Sequence, residues 1–460
     1  VANPAMRLAS MSHTQGPGGI ARAAKDSGTV PTPIDRSSSQ LSLTACRTIK
    51  SFWIEQDIEM SRFRKVEFIL ADLGRHCNVW IPNDSGSVSV KTAQMIRAKF
   101  ELAYDDIKDE RIYYPEGNGF RPVPMQTLSD TELSEDGLNR VNILIYDLAA
   151  DGVTNGTTLT GYFHSKDYFP SSDDLRTITG GAFAYPDGAS VLGCSNEGKY
   201  LYIDSHYADS NFNLAVSTLI HEYQHLIHWG RKVMRSGRLS PNWYNEMLSM
   251  MCEDLFCSRL GLTDEDPPLA RLPLFNAGWY TAGLEYRDGS GLQLLMSYAY
   301  PFAFGDWLMR NFGGRSVASA MASNEGAGIP SIEQATGKGM EELLMCFAVS
   351  CAVPDAASRK GAGGCSFGGS PDSLKGLDLW KLYAQLPTSY SRYRTAGIYR
   401  FNGPVLLRYD SRTGLRPWGV KACYAGQSVG SDMTLSMGLD RPCPDMKMYI
   451  LVSSSAPEED

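Results

Sequence analysis

The segment 221–225, HEYQH, constrains the chain most, because its two histidines can serve one site only if they share a helical face. Asp209 or Ser210 predicts a helix start ahead of it, and Gly230 predicts the helix end. Residues four apart lie on one face of a helix, so both imidazoles can converge on a single ion. Glu222 projects about 100° round the helix from the first histidine, within reach of a water bound to that ion.

A third ligand is needed, because catalytic zinc sites usually hold the metal with three protein groups and leave one position for water. His228 is the nearest candidate and lies on the same helical face as His221. The helix rises roughly 10 Å between them, which is too far for one ion with bonds of about 2 Å to take both outer imidazoles. We therefore expect His228 to line a cleft or to lie at the helix end.

Glu246 is the better candidate, 21 positions after the second histidine and within a second predicted helix at 242–258. Glu246, Ser249 and Glu253 share one face of that helix, which is otherwise largely apolar. A carboxylate buried there needs a partner, and a cation supplies one. Asp254 lies one residue off this face, and we expect it to hydrogen-bond a zinc-bound imidazole.

Short apolar and β-branched runs upstream of the histidines predict a mixed sheet. The predicted strands are at 51–54, 66–70, 77–81, 141–146, 161–164 and 199–204, with a helix at 92–107. Downstream of the histidines, apolar residues at helical spacing predict further helices at 292–311 and 331–352. The fold class is therefore α+β.

A chain of 460 residues exceeds the roughly 250–300 residues that one core usually supports, so several units are expected. Changes in composition and pattern predict four segments. These are a disordered or loosely attached tail at 1–40, a mixed α/β part at 41–210, a helical part carrying the zinc site at 211–358, and a small β-rich C-terminal domain at 372–460.

Charge, hydropathy and cysteine spacing exclude several other classes of protein. A net charge of −8 argues against a nucleic-acid binder. No apolar run approaches the roughly 20 residues that span a bilayer, so no integral membrane segment is expected. The ten cysteines are dispersed and show no CxxC spacing, although Cys423 and Cys443 are candidates for a disulfide.

Two motifs together resemble a known family. HEYQHLI at 221–227 and WYNEMLSMMCEDL at 243–255 look like the gluzincins, and within them the hyicolysin-type neutral metallopeptidases. Three upstream segments are similar to the same family, namely GRHCNVWI at 74–81, GYFHSKDYF at 161–169 and SNEGKYLYID at 195–204. The resemblance covers about residues 65–255 and, more loosely, the helices to 355.

The resemblance implies a zincin-like catalytic unit with Zn²⁺ bound by His221, His225 and Glu246, and with Glu222 as general base. It further implies a secreted, cell-surface or periplasmic bacterial endopeptidase that acts on protein or peptide substrates. The strand at 199–204 would present its edge to an extended substrate. One departure is Met247, where the family commonly has glycine, and it places the substrate range in question.

Two other functions compete with this interpretation. The first is a zinc-binding, non-catalytic surface or adhesion protein derived from a metallopeptidase, against which the presence of Glu222 argues mildly. The second is an aminopeptidase, which ranks lower because no GxMEN-like stretch is present to hold a free amino terminus. The group that stabilises the oxyanion stays open among His228, Tyr244 and Tyr298.

Overall fold

The computed structural model describes residues 48–55, 63–84, 87–109, 140–148, 159–168, 191–234, 239–263, 266, 268–285, 291–354, 365–387, 403–408, 414–425 and 445–450. The tail predicted at 1–40 lies outside these residues. The chain divides into two units, one formed by Val1–Pro268 with Ala318–Ser331 and the other by Leu269–Val317 with Ile332–Asp460. The first boundary between the units, at 268–269, falls inside the helical part predicted at 211–358. The four predicted segments stay predictions.

The first unit is built on a mixed sheet of six strands in the order β1-β2-β3-β4-β6-β5. The strands are β1 (Ile49–Glu55), β2 (Phe63–Leu73), β3 (Cys77–Pro82), β4 (Val141–Tyr146), β5 (Gly161–Tyr162) and β6 (Tyr200–Asp204). The pairs β3–β4 and β4–β6 are parallel, and the other three pairs are antiparallel. Together with the helices, this sheet makes the fold mixed α+β, as predicted.

Ten α-helices are described. They are α1 (Val90–Asp109), α2 (Ser205–Ser210), α3 (Phe212–His228), α4 (Asn242–Leu260), α5 (Leu272–Gly278), α6 (Gly291–Asn311), α7 (Arg315–Ser323), α8 (Ile329–Thr336), α9 (Met340–Ala352) and α10 (Leu382–Gln385). In the described part of the chain, no helix is both long enough and apolar enough to cross a membrane.

Strand β4 occupies the middle of the sheet because all six of its side chains are compatible with burial. Its sequence VNILIY is buried throughout. Asn142 is the one amide among them, and its Oδ1 accepts hydrogen bonds from Trp80 Nε1 at 3.0 Å and Asn78 Nδ2 at 3.1 Å. A buried amide with partners costs little, so the strand tolerates it.

Helix α3 packs against β6, β5 and α4, and every residue from Ala215 to His228 is buried. Its start differs from the prediction. Ser210 ends the preceding helix α2, where its hydroxyl donates to His206 O at 2.8 Å, and Asn211 is the N-cap of α3. Gly230 does not end the helix, because a π-helix, Trp229–Met234, continues it.

The sheet edge beside α3 is β5 rather than the predicted strand at 199–204. Strand β6 is paired on one side with β4 and on the other with β5, through Gly161 and Tyr162. Gly161 permits this packing, because a Cβ there would lie 2.6 Å from Thr218 Cγ2 and 2.8 Å from Tyr202 O. The expectation that β6 offers its edge to a substrate is therefore wrong at residues 202–203.

A cluster of buried polar side chains lies in the same unit and includes Glu55, the last residue of β1. Lys166 Nζ bonds Asp167 Oδ1 at 2.7 Å, and the Tyr202 hydroxyl donates to Asp167 Oδ2 at 2.5 Å. Glu55 is 4% exposed, and its carboxylate accepts a long hydrogen bond from the Tyr146 hydroxyl at 3.4 Å. Burial raises the pKa of Glu55 to about 7, even though Lys166 acts to lower it.

In the second unit, aromatic rings from α5, α6 and α9 form a core. Phe347 of α9 lies 5.3–5.9 Å from four of these rings, those of Phe275, Tyr300, Phe304 and Trp307. Within 372–460, the described residues contain one pair of short parallel strands, β7 (Leu407–Arg408) and β8 (Cys423–Tyr424). The β-rich domain predicted there stays a prediction.

Candidate metal centre

Helix α3 brings His221 and His225 together on one face, as their spacing predicts. The ring centroids lie 4.7 Å apart with an interplanar angle of 80°. One ligand atom from each of His221, Glu222 and His225 lies within 4.8 Å of the others, and all three residues are buried. The side chains that the sequence places one helical turn apart therefore share one small volume in the interior.

Helix α4 directs Glu246 into the same volume. Glu246 Oε2 lies 3.1 Å from His221 Nε2, and Glu246 Oε1 lies 3.6 Å from His225 Nε2. A tetrahedral zinc ion with bonds of about 2.0–2.2 Å separates its ligand atoms by roughly 3.3–3.6 Å. The three side chains therefore stand at spacings close to those of ligands that share one ion.

Side chains of α4 also contact the Nδ1 atoms of the two imidazoles. His221 Nδ1 lies 2.7 Å from Glu253 Oε1, and His225 Nδ1 lies 3.1 Å from Ser249 Oγ. The Ser217 hydroxyl donates to the second oxygen of Glu253 at 2.6 Å. Later residues of α3 meet earlier residues of α4, so the two helices run antiparallel where they touch. Such contacts fix the ring orientation of a metal-bound histidine.

The carboxylate beside His221 is Glu253, and the expectation for Asp254 was wrong. Both ring nitrogens of His221 are taken, by Glu246 and Glu253. Asp254 is one position further along α4, which turns its side chain about 100° away from Glu253. Ser217 was missed by the sequence reasoning, although it stands one helical turn before His221 and on the same face.

The electrostatics of this group favour a cation. Burial by itself lowers the pKa of His221, but its hydrogen bonds to Glu246 and Glu253 outweigh burial and raise the pKa to about 10. Two carboxylates, both almost wholly buried, thus lie beside one imidazole. Buried carboxylates need a positive partner, and a metal ion at His221 Nε2 would provide one.

A second observation, at His225, also indicates that these side chains suit a zinc ion. His225 Nε2 is buried and has no hydrogen-bond partner among the residues that the structure describes. With Nδ1 beside the Ser249 hydroxyl, a neutral imidazole can keep its Nε2 lone pair available. Two imidazole nitrogens and one carboxylate are a ligand set found in catalytic zinc sites.

The three candidates for stabilising an oxyanion, Tyr244, His228 and Tyr298, have different surroundings. The Tyr244 hydroxyl lies 2.6 Å from Ser331 Oγ and 3.0 Å from Met321 O, so it is already engaged. The His228 ring packs against Tyr244 with centroids 6.0 Å apart, and neither of its nitrogens has a hydrogen-bond partner among the described residues. Burial lowers the pKa of His228 well below its usual value, so the ring is neutral. Tyr298 belongs to the second unit.

Met247, which replaces the glycine common in the resembling family, is fully buried in α4. The helix runs without interruption past it to Leu260 and ends at Gly261, whose φ of 68° is left-handed. Methionine at this position therefore belongs to the core of the first unit. Its effect on substrate range stays a prediction.

Comparison with known proteins gives a distant similarity. No family profile matches the chain. The neutral metalloprotease ShpI of Staphylococcus hyicus is 22% identical over 242 residues, which are 52% of this chain and 47% of that protein. The chain thus spans about half the length of the relative it matches. This distant homology supports a relationship to the metallopeptidases.

Proposed function

We propose that the protein is a zinc-dependent endopeptidase that hydrolyses peptide bonds of protein substrates with an activated water. The observation that carries the proposal is the approach of Glu246 to the Nε2 atoms of His221 and His225, with Glu222 in the same buried group. The distant similarity to a neutral metalloprotease supports the same class of reaction. In finer terms, we assign the chain to the gluzincins of hyicolysin type and its catalytic unit to the zincin-like folds.

Three side chains would hold the metal, His221 and His225 through Nε2 and Glu246 through its carboxylate. When bound, a zinc ion supplies a Lewis acid that polarises the scissile carbonyl and lowers the pKa of water toward about 7. Glu253 and Ser249 accept or share the Nδ1 protons of the two imidazoles and so keep both Nε2 lone pairs directed inward.

Glu222 would act as the general base. Its carboxylate takes a proton from the attacking water and later delivers that proton to the nitrogen of the leaving amine. Glu222 follows His221 directly on α3 and is fully buried, so bulk water does not compete for the transferred proton. The same carboxylate thus serves both halves of the reaction.

The partner class proposed is a protein or peptide, and nucleic acid is not expected for a chain of net charge −8. A bacterial neutral metalloprotease is a distant relative, and no described helix could cross a membrane. We therefore place the protein among secreted, cell-surface or periplasmic bacterial enzymes, with the segments at 1–40 and 372–460 outside the catalytic unit.

The first test is Glu222→Gln, which keeps the shape of the side chain and removes its basicity. We expect the variant to bind one zinc per chain, by elemental analysis, and to lose at least about 100-fold in cleavage of a fluorogenic peptide. Wild-type protein treated with chelator and then resupplied with zinc is the control. Full activity in the variant would refute the assignment of Glu222 as the general base.

The second test is Glu246→Ala. We expect zinc content to fall well below one per chain after dialysis, because two imidazoles alone hold the ion weakly. Unchanged zinc content would exclude Glu246 as a ligand. The rival hypothesis, a zinc-binding surface or adhesion protein without catalysis, predicts normal zinc content in the wild type with no cleavage of casein at any zinc concentration.

A further inference from the structure

Cys346 and Cys365 are neighbours in the second unit, although 19 positions separate them in the sequence. Cys346 lies on α9, and Cys365 follows that helix in the chain. The Cys346 and Cys365 side chains interact with each other. Ser350, one turn further along α9, places its Oγ 2.8 Å from Cys346 O and 3.0 Å from Cys365 O. The chain at Cys365 therefore lies directly on the helix.

A second set of contacts fixes Cys365 from the other side. Ser366 N donates to Asn311 Oδ1 at 3.0 Å, and Asn311 Nδ2 donates to Ser366 O, also at 3.0 Å. Asn311 is the last residue of α6, whose Trp307 bonds Ser350 Oγ through Nε1 at 3.0 Å. Contacts from two helices therefore fix the backbone at Cys365 beside α9, the helix that carries Cys346.

Other thiols in the described part of the chain have different neighbours. Cys77 Sγ donates to Glu101 Oε1 and Cys257 Sγ donates to Thr263 O, each at 3.6 Å. Cys351 is fully buried on α9, five residues from Cys346, and that spacing turns the two thiols to different sides of the helix. The pairing predicted for Cys423 involves position 443, which lies outside the described residues.

We propose that Cys346 and Cys365 are the site of a structural disulfide, formed by exchange with a disulfide donor such as glutathione disulfide. The Cys365 thiolate attacks one sulfur of the donor and releases one glutathione thiolate, leaving a mixed disulfide on Cys365. The Cys346 thiolate then attacks Cys365 Sγ and releases the second glutathione thiolate. Two electrons pass from the cysteines to the donor, and the two thiol protons end on the two glutathione molecules.

The order of attack follows from exposure. Cys365 is half-buried, whereas Cys346 is only 8% exposed. Burial raises the pKa of Cys346 to about 11, and it also raises that of Cys365. Neither thiol is activated in the manner of a redox catalyst, so the bond formed is structural and its formation is slow.

The test equilibrates the purified full-length protein with mixtures of glutathione and glutathione disulfide and then blocks remaining thiols with iodoacetamide. We expect a non-reduced digest to contain a peptide pair joined through Cys346 and Cys365. Closing a loop of about 20 residues should raise the melting temperature by roughly 5–10 °C relative to protein kept in a phosphine reductant. Cys257→Ser is the matched control and should keep both the joined peptide and the shift.

Cys346→Ser and Cys365→Ser should each abolish the joined peptide and the redox-dependent shift. If the buried variant fails to fold, the half-buried Cys365→Ser variant and the wild-type digest still decide the question. Alkylation of both thiols in the wild type at every glutathione ratio would overturn the proposal. A joined peptide between Cys346 and Cys351 would overturn it equally.

Discussion

Removing the carboxylate of Glu253 should weaken zinc binding while leaving the three proposed ligands in place. Glu253 Oε1 lies 2.7 Å from His221 Nδ1, and its second oxygen accepts from the Ser217 hydroxyl. Glu253→Gln keeps an acceptor for the imidazole but loses the charge, whereas Glu253→Ala removes the contact altogether. The two variants therefore separate the hydrogen bond from the charge.

The magnitude follows from the kind of hydrogen bond involved. A buried hydrogen bond to a charged group is worth about 1.5–3 kcal/mol, and one to a neutral group about 0.5–1.5 kcal/mol. Glu253→Gln should therefore lose about 1.4 kcal/mol, which is a tenfold weaker zinc affinity. Glu253→Ala should lose about 2–3 kcal/mol, or roughly 100-fold, at the upper end of the effects measured for groups that orient metal ligands.

The assay is competition for zinc between metal-free protein and a chelating dye, with the melting temperature of the metal-free variants measured in parallel. Asp254→Asn is the matched control, since it removes the neighbouring carboxylate while His221 keeps both partners. We expect its zinc affinity to equal that of the wild type. Wild-type affinity in Glu253→Ala, or an equal loss in Asp254→Asn, would refute the assignment of Glu253.

Two further predictions concern stability. Because the pKa of Glu55 is raised from 4.5 to about 7 in the folded state, its contribution is fully present below pH 4.5 and is lost as pH rises to about 7. The full loss is about 3 kcal/mol at 1.36 kcal/mol per pKa unit. Between pH 5 and pH 8 the free energy of unfolding in urea should therefore fall by about 2–3 kcal/mol less in Glu55→Gln than in the wild type. Gly161→Ala should cost about 1–3 kcal/mol through overpacking against Thr218 and the backbone of Tyr202, as measured by the same unfolding assay.

Each of these has a clear contrary outcome. An unchanged pH dependence in Glu55→Gln would mean that the folded protein already holds this carboxylate ionised near pH 5. For Gly161, the control is Gly414→Ala, where an added Cβ meets nothing within 4 Å and stability should change by less than about 0.5 kcal/mol. Equal effects at the two glycines would remove the steric argument for the position of β5.

The sequence was most informative where helical periodicity and burial act together. The face shared by Glu246, Ser249 and Glu253 was predictable, because a largely apolar helix leaves few positions for polar groups. All three meet α3 in the structure. The choice between Glu253 and its neighbour Asp254 was less accessible, since it depends on the rotation of α4 about its own axis.

Short elements were the least predictable. Strand β5 has two residues, Gly161–Tyr162, and its place at the sheet edge follows from a long-range pairing with β6 rather than from a local pattern. The start of α3 was misplaced for a similar reason. The six-residue helix α2 ends at Ser210, so residues that are good N-caps in isolation are already used by another element.

The complete burial of α3 from Ala215 to His228 also bears on how the proposed metal centre would respond to removal of the ion. Backbone amides in buried core helices are those that exchange with solvent mainly through global unfolding. We therefore expect deuterium uptake at these amides to be slow in metal-free protein, and slower still with zinc bound, because binding raises the free energy of unfolding. The ligands would then be kept in position by the fold, and a returning ion would find a site already assembled.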